Sequence, residues 1–431
     1  MSASFTEIVV AAGAAKRLGA YVSPASALIL VYPQAVHGAL GEALRGQLGL
    51  RAGRTSAPHA ARIESAPDGL LTLAKAKTAA QRFWSACHAR AARAPALEHA
   101  TGSDQVPAPI GDLSGSSHAP PALVAVGGGS VMDLAKVMRW LPSPARCAVL
   151  AELHEETWLA AMQAGLAGAT RLRLVLLPTT AGTGSETTPY ATLWGKQKHS
   201  FYAPTAFADL AIIDYHLTLG TPWTLTRDSG LDALAHALDV LWNRASDDLL
   251  RARATLVAAQ IVRALNDLRR AARAQAMRAQ PDDPDARRRM AEAATQAGQL
   301  IALTESSLVH ALSYPLTLRE GLTHGHACAQ WIAAVAALAC AASASIAPAL
   351  ASIWGAAATD GPDPETDLEM PEEASTTASA ERWTAHIEAW LSTLGVASRR
   401  TDDEAGRKAL ATALDHPRGR NFIGACAPRA A

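Results

Sequence analysis

The chain has 431 residues, of which 49% are hydrophobic and 18% charged, and its 39 basic and 39 acidic side chains leave no net charge. Such a length allows two or three domains with a sizeable core, and the charge balance gives no reason to expect nucleic acid or an anionic membrane as a partner. The cysteines (Cys87, Cys147, Cys328, Cys340 and Cys426) are scattered, odd in number and contain no Cys-x-x-Cys pair. That usage fits a reducing cytoplasm better than an oxidising compartment. The opening residues do not read as a secretory signal, because Glu7 stands where a basic region belongs and Lys16-Arg17 interrupt the early apolar run.

In chain order, Ala27 to Tyr32 (ALILVY) predicts a short buried strand, Val36 to Leu48 a helix, and Leu70 to Ala92 an alanine-rich helix. Ala94 to Pro121 is rich in Pro, Gly, Ser and His without periodicity, which predicts a surface insertion. Ala122 to Lys136 then runs a strand of small and β-branched residues into Gly127-Gly128-Gly129-Ser130 and directly into a helix. Glycines at such a turn let backbone N–H groups approach a phosphate at a helix N-terminus, although the run also fits a plain tight turn. It is not the Gly-x-Gly-x-x-Gly dinucleotide fingerprint. A second strand, Leu172 to Leu177, leads into the hydroxyl- and glycine-rich Pro178 to Glu186, another candidate cradle or an ordinary polar loop. Two such loops after buried strands favour a nucleotide site, because ligands gather at the carboxyl ends of parallel strands. Tyr190 to Asp214 reads as a short β excursion closing this half.

From about Leu217 the pattern is helical. In Asp228 to Asp239 (DSGLDALAHALD), Asp232 and His236 stand four apart beside a stripe of Leu231, Leu234, Leu238 and Leu241. One helix face then offers a carboxylate and an imidazole to one ion, although the pair alone also fits an exposed polar patch. Asp228 and Ser229 are placed as the N-cap. Asp247–Arg273 and Asp285–Leu303 predict long helices whose arginines form a solvated face. His310 and His324 lie fourteen apart, with Pro315 and Gly321 between them. The pattern predicts a helix carrying His310, a break, and a new element opening at His324, and two converging imidazoles suit zinc or iron. Trp331 to Ala358 has no charged residue, but its Ala/Ser content and Pro348 favour packed core helices over a membrane span. Gly361 to Thr377 is an acidic, Pro-containing stretch expected to be another insertion.

Together these motifs resemble the iron-containing (group III) alcohol dehydrogenase family. The pieces GGGSVMDLAK, LPTTAGTGSE, SGLDALAHALD and the His310–His324 block occur in the family's order over roughly Ala122 to Cys328. Within it, TPYATLWG, Trp242-Asn243 and HALSYPLTLREGLTHGHAC are most similar to phosphonoacetaldehyde reductases. The resemblance implies a dehydroquinate synthase-like architecture: an α/β, Rossmann-like nucleotide-binding domain over 1–216, an all-helical metal-binding domain over 217–431, and a site in the cleft. It implies that Asp232, His236, His310 and His324 hold one divalent ion, Fe2+ foremost and Zn2+ as the alternative. Gly127, Gly128, Gly129, Ser130 and Asp133 would line the phosphate and ribose side of NADH or NADPH. Thr179, Thr180, Thr183 and Ser185 would lie along its pyrophosphate and nicotinamide end.

The implied reaction is reduction of phosphonoacetaldehyde to 2-hydroxyethylphosphonate in phosphonate metabolism. Another short-chain aldehyde or alcohol is the alternative, ahead of a dehydroquinate synthase-like lyase or a non-catalytic homologue. Two places depart from the family pattern. Tyr314 stands where many members carry a histidine assigned to proton relay, so its phenol is the candidate proton donor with water or ribose hydroxyls as the alternative, and Pro33-Gln34-Ala35 replaces the usual Gly- or Asp-containing turn, which leaves NADH against NADPH open. Arg319 and Lys196 are candidate phosphonate contacts. The expected assembly is a cytoplasmic homo-oligomer, a dimer, acting on a small molecule.

Overall fold

The computed structural model describes residues 6–22, 27–31, 62–65, 70–72, 74–79, 82, 122–140, 172–276, 282–355 and 376–425. The expected helix at Val36–Leu48, the turn at Pro33–Ala35, the insertion at Ala94–Pro121 and most of Gly361–Thr377 lie outside them. The chain divides into two compact units, Met1–Thr179 with Ser185–Asp214, and Thr180–Gly184 with Tyr215–Ala431.

The first unit is built on β1 (Glu7–Val10), β2 (Ala27–Val31), β3 (Arg62–Ser65), β4 (Ala122–Gly127), β5 (Arg173–Pro178) and β8 (Leu210–Ile213). They form one sheet in the order β1-β8-β5-β4-β2-β3, with every pairing parallel. Strands of a parallel sheet are covered on both faces, which is why β4 and β5 read as continuous apolar runs without alternation. All six residues of β4 are buried. After a single helical turn, α1 (Leu18–Tyr21), residues 74–79 and 82 are helical, within the helix expected over Leu70–Ala92, and α2 (Gly129–Trp140) follows β4 through Gly128. Its Leu134, Met138 and Trp140 pack in one apolar cluster with Leu123, Leu174, Leu176 and Phe201. The expected β excursion resolves into an antiparallel ribbon, β6 (Tyr190–Trp194) with β7 (Lys198–Tyr202), followed by β8 inserted between β1 and β5.

In the second unit the described helices are α3 (Trp223–Leu241), α4 (Asp248–Ala276), α5 (Pro284–Thr304), α6 (Leu308–Arg319), α7 (His324–Ala342), α8 (Ile346–Gly355), α9 (Thr376–Thr393) and α10 (Glu404–Asp415). Its core is centred on α3, in which every residue from Gly230 to Leu241 is buried. The first turn of α3 corrects the expected N-cap. The helix starts after Pro222, whose carbonyl accepts from Thr226 N at 2.9 Å, so Asp228 and Ser229 lie inside it. Asp228 serves a neighbouring segment instead, as described below.

The expectation of a wholly solvated arginine face also fails at two positions, since Arg269 and Arg287 are 2% and 7% exposed. Arg287 donates to Asp282 at 3.1 Å, Thr226 Oγ1 at 2.7 Å and Thr221 O at 3.0 Å. A planar guanidinium can be buried where its fork of donors meets acceptors in this way. The long apolar α7 satisfies the length and hydropathy of a membrane span, but 72% of that window is buried inside the protein. Its apolar surface is taken up by neighbouring helices of the unit, including Trp383, Ile387 and Trp390 of α9.

Candidate functional site

Three polar side chains of α3, Asp232, His236 and Asp239, follow at i, i+4 and i+7, so they share one face of a core helix. His310 comes from α6 and His324 opens α7. Pro315, expected at the break, is inside α6; the chain turns at Gly321, whose φ of 69° is left-handed and inexpensive for glycine. The result is convergence: His310 Nε2 lies 3.7 Å and His324 Nε2 3.9 Å from Asp232 Oδ1. The His236 ring stacks on His310 with centroids 4.6 Å apart, and His324 meets His310 edge-on at 5.4 Å. Single donor atoms of Asp232, His310, His324 and Cys328 all lie within 4.8 Å of one another.

Asp232 Oδ1 and His310 Nε2 are both buried with no hydrogen-bond partner, their 3.7 Å separation being too long for a bond. Leaving a buried polar atom unsatisfied costs about 1–3 kcal/mol, and a divalent cation between them would satisfy both. The donor chemistry therefore fits a metal ion. Burial works to raise the Asp232 carboxyl, but the imidazoles of His236, His310 and His324 outweigh it and hold the group below the usual carboxylate range. Burial likewise opposes charge on His310, yet Asp232 and Asp239 push it up to about 9.

Sequence reading gave Asp239 no role, and the structure gives it a clear one. It is fully buried, and its Oδ2 lies 2.8 Å from His310 Nδ1 and accepts from Ser307 N at 2.7 Å. Its Oδ1 accepts from Trp242 Nε1 at 2.9 Å and Val309 N at 3.2 Å. A carboxylate on one ring nitrogen fixes the tautomer and turns the other nitrogen towards an ion, the usual support of a metal-binding histidine. Its i+7 position on the Asp232 face was the available signal. Replacing it as Asp239→Asn is expected to weaken metal affinity about 10–100-fold with the helical circular dichroism retained. Titration of the metal-free variant with zinc or iron(II) checks this; unchanged affinity would reduce Asp239 to a structural cap of α6.

The start of α7 is tied to α3 by Thr323 Oγ1, which donates to Asp228 Oδ2 at 2.6 Å. Arg227 pairs with Asp228 at 2.7 Å and reaches His326 Nδ1 at 3.2 Å. Gly325 lies so close that a Cβ there would overlap the Asp228 carbonyl oxygen. Tyr314 is 8% exposed, its ring 6.1 Å from that of His324 and 5.4 Å from that of His416. It therefore stands beside the ligand candidates. Arg319 and Lys196, by contrast, are exposed.

In the first unit, Gly128 O accepts from Val131 and Met132 at the start of α2, and Thr179 N donates to Gly127 O at 3.0 Å. Gly128, Gly129 and Ser130 are half-buried at that helix start. Asp133 accepts from Ser185 Oγ at 2.6 Å and Thr192 N at 2.9 Å. Lys136, missed in the sequence reading, is fully buried and donates to Ser185 O, Ser185 Oγ, Thr188 O and Tyr190 O at 2.6–3.0 Å. Burial pulls this lysine down to about 8 against the attraction of Asp133 and Glu186. Asp133 and Ser185 are thus joined inside a network that fixes the loop. Thr180 and Thr183 belong to the segment that counts with the second unit, where Gly184, at φ 61°, abuts Gly298 of α5. At least one glycine of that loop accordingly serves close packing on a helix.

Residues 114–215 match the family described as iron-containing alcohol dehydrogenase, and residues 226–414 its C-terminal counterpart, the Fe-containing alcohol dehydrogenase family, C-terminal. The chain is 36% identical over 219 residues to a phosphonoacetaldehyde reductase of Streptomyces viridochromogenes, covering 48% of this chain and 50% of that protein. It is 34% identical over 217 residues to a 4-hydroxybutyrate dehydrogenase of Cupriavidus necator, covering 47% and 51%. The matched stretch thus spans about half the length of these relatives. In fold it is similar to a sulfoacetaldehyde reductase from Bifidobacterium kashiwanohense solved with NAD+, with TM-score 0.65, 18% identity and 98% and 93% of the two chains covered. An iron-containing alcohol dehydrogenase from Thermotoga maritima gives TM-score 0.63 at 20% identity, over 98% and 94%.

Proposed function

The chain belongs to the iron-containing alcohol dehydrogenase family, and from that premise we propose that it is a metal-dependent, NAD(P)H-linked reductase of phosphonoacetaldehyde. The observation that carries the reaction class is the pair of buried, unpartnered donors, Asp232 Oδ1 and His310 Nε2, facing each other beside His324. A protein without chemistry has little reason to keep such donors in the core of a helical unit. The substrate assignment is supported by the 36% identity to the Streptomyces reductase over a stretch that includes the quoted motifs.

In this reading Asp232, His236, His310 and His324 hold one divalent ion. Asp239 keeps His310 in the tautomer that presents Nε2. Gly127, Gly128, Gly129 and Ser130, at the positive end of α2, receive the cofactor phosphates, with Asp133 and Ser185 fixing the loops around them. Thr179, Thr180 and Thr183 line the nicotinamide side. When bound, the ion polarises the aldehyde carbonyl and the nicotinamide supplies hydride. Tyr314, beside His324, supplies a proton to the oxygen that becomes the alcohol.

The test compares phosphonoacetaldehyde with acetaldehyde by NAD(P)H oxidation. A well-formed charged contact is worth roughly 1.5–3 kcal/mol, so the phosphonate is expected to be preferred about tenfold or more in kcat/KM. Equal kcat/KM would sink the substrate assignment and leave a general short-chain aldehyde reductase. Because Arg319 is exposed at the end of α6, Arg319→Ala decides whether it anchors the phosphonate: a loss confined to phosphonoacetaldehyde assigns it that role.

A further inference from the structure

The four mutually close donors in the second unit include a residue outside the expected ligand set. Cys328 lies four residues after His324 on α7, so one turn of helix presents an imidazole and a thiol on the same face. It is 0% exposed, and its Sγ stands within 4.8 Å of donor atoms of Asp232, His310 and His324. Two of those residues carry a buried atom without a hydrogen-bond partner, Asp232 Oδ1 and His310 Nε2, on side chains 5% and 2% exposed. A buried cysteine is often only a small apolar filler. Here, however, its sulfur lies close to two residues that each carry a buried donor atom without a hydrogen-bond partner.

The separations suit a shared ion. Donors that share one zinc, at about 2.0 Å (nitrogen) and about 2.3 Å (sulfur), lie roughly 3–3.5 Å from their neighbours. Asp232 is already 3.7 Å from His310 and 3.9 Å from His324. Closing the widest pair from 4.8 Å needs roughly 1 Å of side-chain movement.

We propose that Cys328 Sγ is itself a donor to the ion in the resting site, and that it shifts the site's preference from iron(II) towards zinc. This rests on the metal-site reading above and adds to it. On ligation the thiol gives its proton to solvent, and the sulfur lone pair goes to the ion. Thiolate is a soft ligand and favours zinc over hard-donor competitors, whereas a set made only of carboxylate and imidazole serves both metals.

Cobalt(II) separates the possibilities, because a sulfur donor adds a near-ultraviolet charge-transfer band that nitrogen and oxygen donors do not. The expected result is that the metal-free protein takes one equivalent of cobalt and shows the band. Cys328→Ala and Cys328→Ser should still take cobalt but lose the band, and the zinc-to-iron(II) affinity ratio should fall by roughly tenfold or more. One equivalent of cobalt bound to the unmodified protein without the band would overturn the role of Cys328 while leaving the metal site standing. No stoichiometric cobalt binding would overturn both readings together.

Discussion

His310→Ala protein is expected to purify without stoichiometric metal and to lose NAD(P)H-linked aldehyde reduction by about 10³-fold or more. Lewis-acid stabilisation by a bound ion is worth several kcal/mol, and each 1.36 kcal/mol is about tenfold in rate. The same substitution takes the imidazole away from the fully buried Asp239, which keeps Ser307 N, Val309 N and Trp242 Nε1. The carboxylate is left under-satisfied but not isolated, so the fold survives at a cost of about 1–3 kcal/mol. His324→Ala supplies the contrast. That side chain is 22% exposed and opens α7, so its loss is expected to remove the ion with a smaller stability cost. Elemental analysis and thermal unfolding of both variants check the pair. Full metal occupancy in either would break the ligand assignment. Equal loss of Tm in both would mean that Asp239 gains nothing from His310.

Gly325→Ala is expected to disable the site without touching a ligand. A methyl group there would overlap the Asp228 carbonyl, and backbone cannot rotate away as a flexible side chain can. The segments carrying Asp232 and His324 must therefore separate, and His324 is the adjacent residue. Overpacking of this kind costs about 1–3 kcal/mol, and the displaced imidazole is expected to reduce metal affinity at least as much as loss of a supporting group, roughly 10–100-fold. Gly321→Ala is the control. It has φ 69° but nothing within 4 Å of a Cβ, so it carries backbone strain of roughly 1–2 kcal/mol with no clash. Metal titration of the two variants decides. If Gly325→Ala binds metal as tightly as Gly321→Ala does, close approach of α7 to α3 is not what positions His324.

Much of this protein is legible in the sequence because much of it is local. The continuous apolar runs of β4 and β5 are fixed by burial on both faces of a parallel sheet, and the i, i+4 spacing of Asp232 and His236 by helix geometry. The order of GGGSVMDLAK, LPTTAGTGSE and DALAHALD indicated an α/β half followed by a helical half, with a family to match. What could not be read were the partners of buried polar groups, since these come from residues far away in the chain. Asp239 supports a histidine 71 residues later, and Asp228, placed as a cap by local rules, instead accepts from Thr323, 95 residues on. Arg287 looked like one more surface charge until Thr221, Thr226 and Asp282 closed around it. Cys328 sits in an alanine-rich helix whose composition suggests only core packing. Local periodicity determines which face a residue occupies; only the packing of α3, α6 and α7 determines what that face meets, and a desolvated donor takes its role from that encounter.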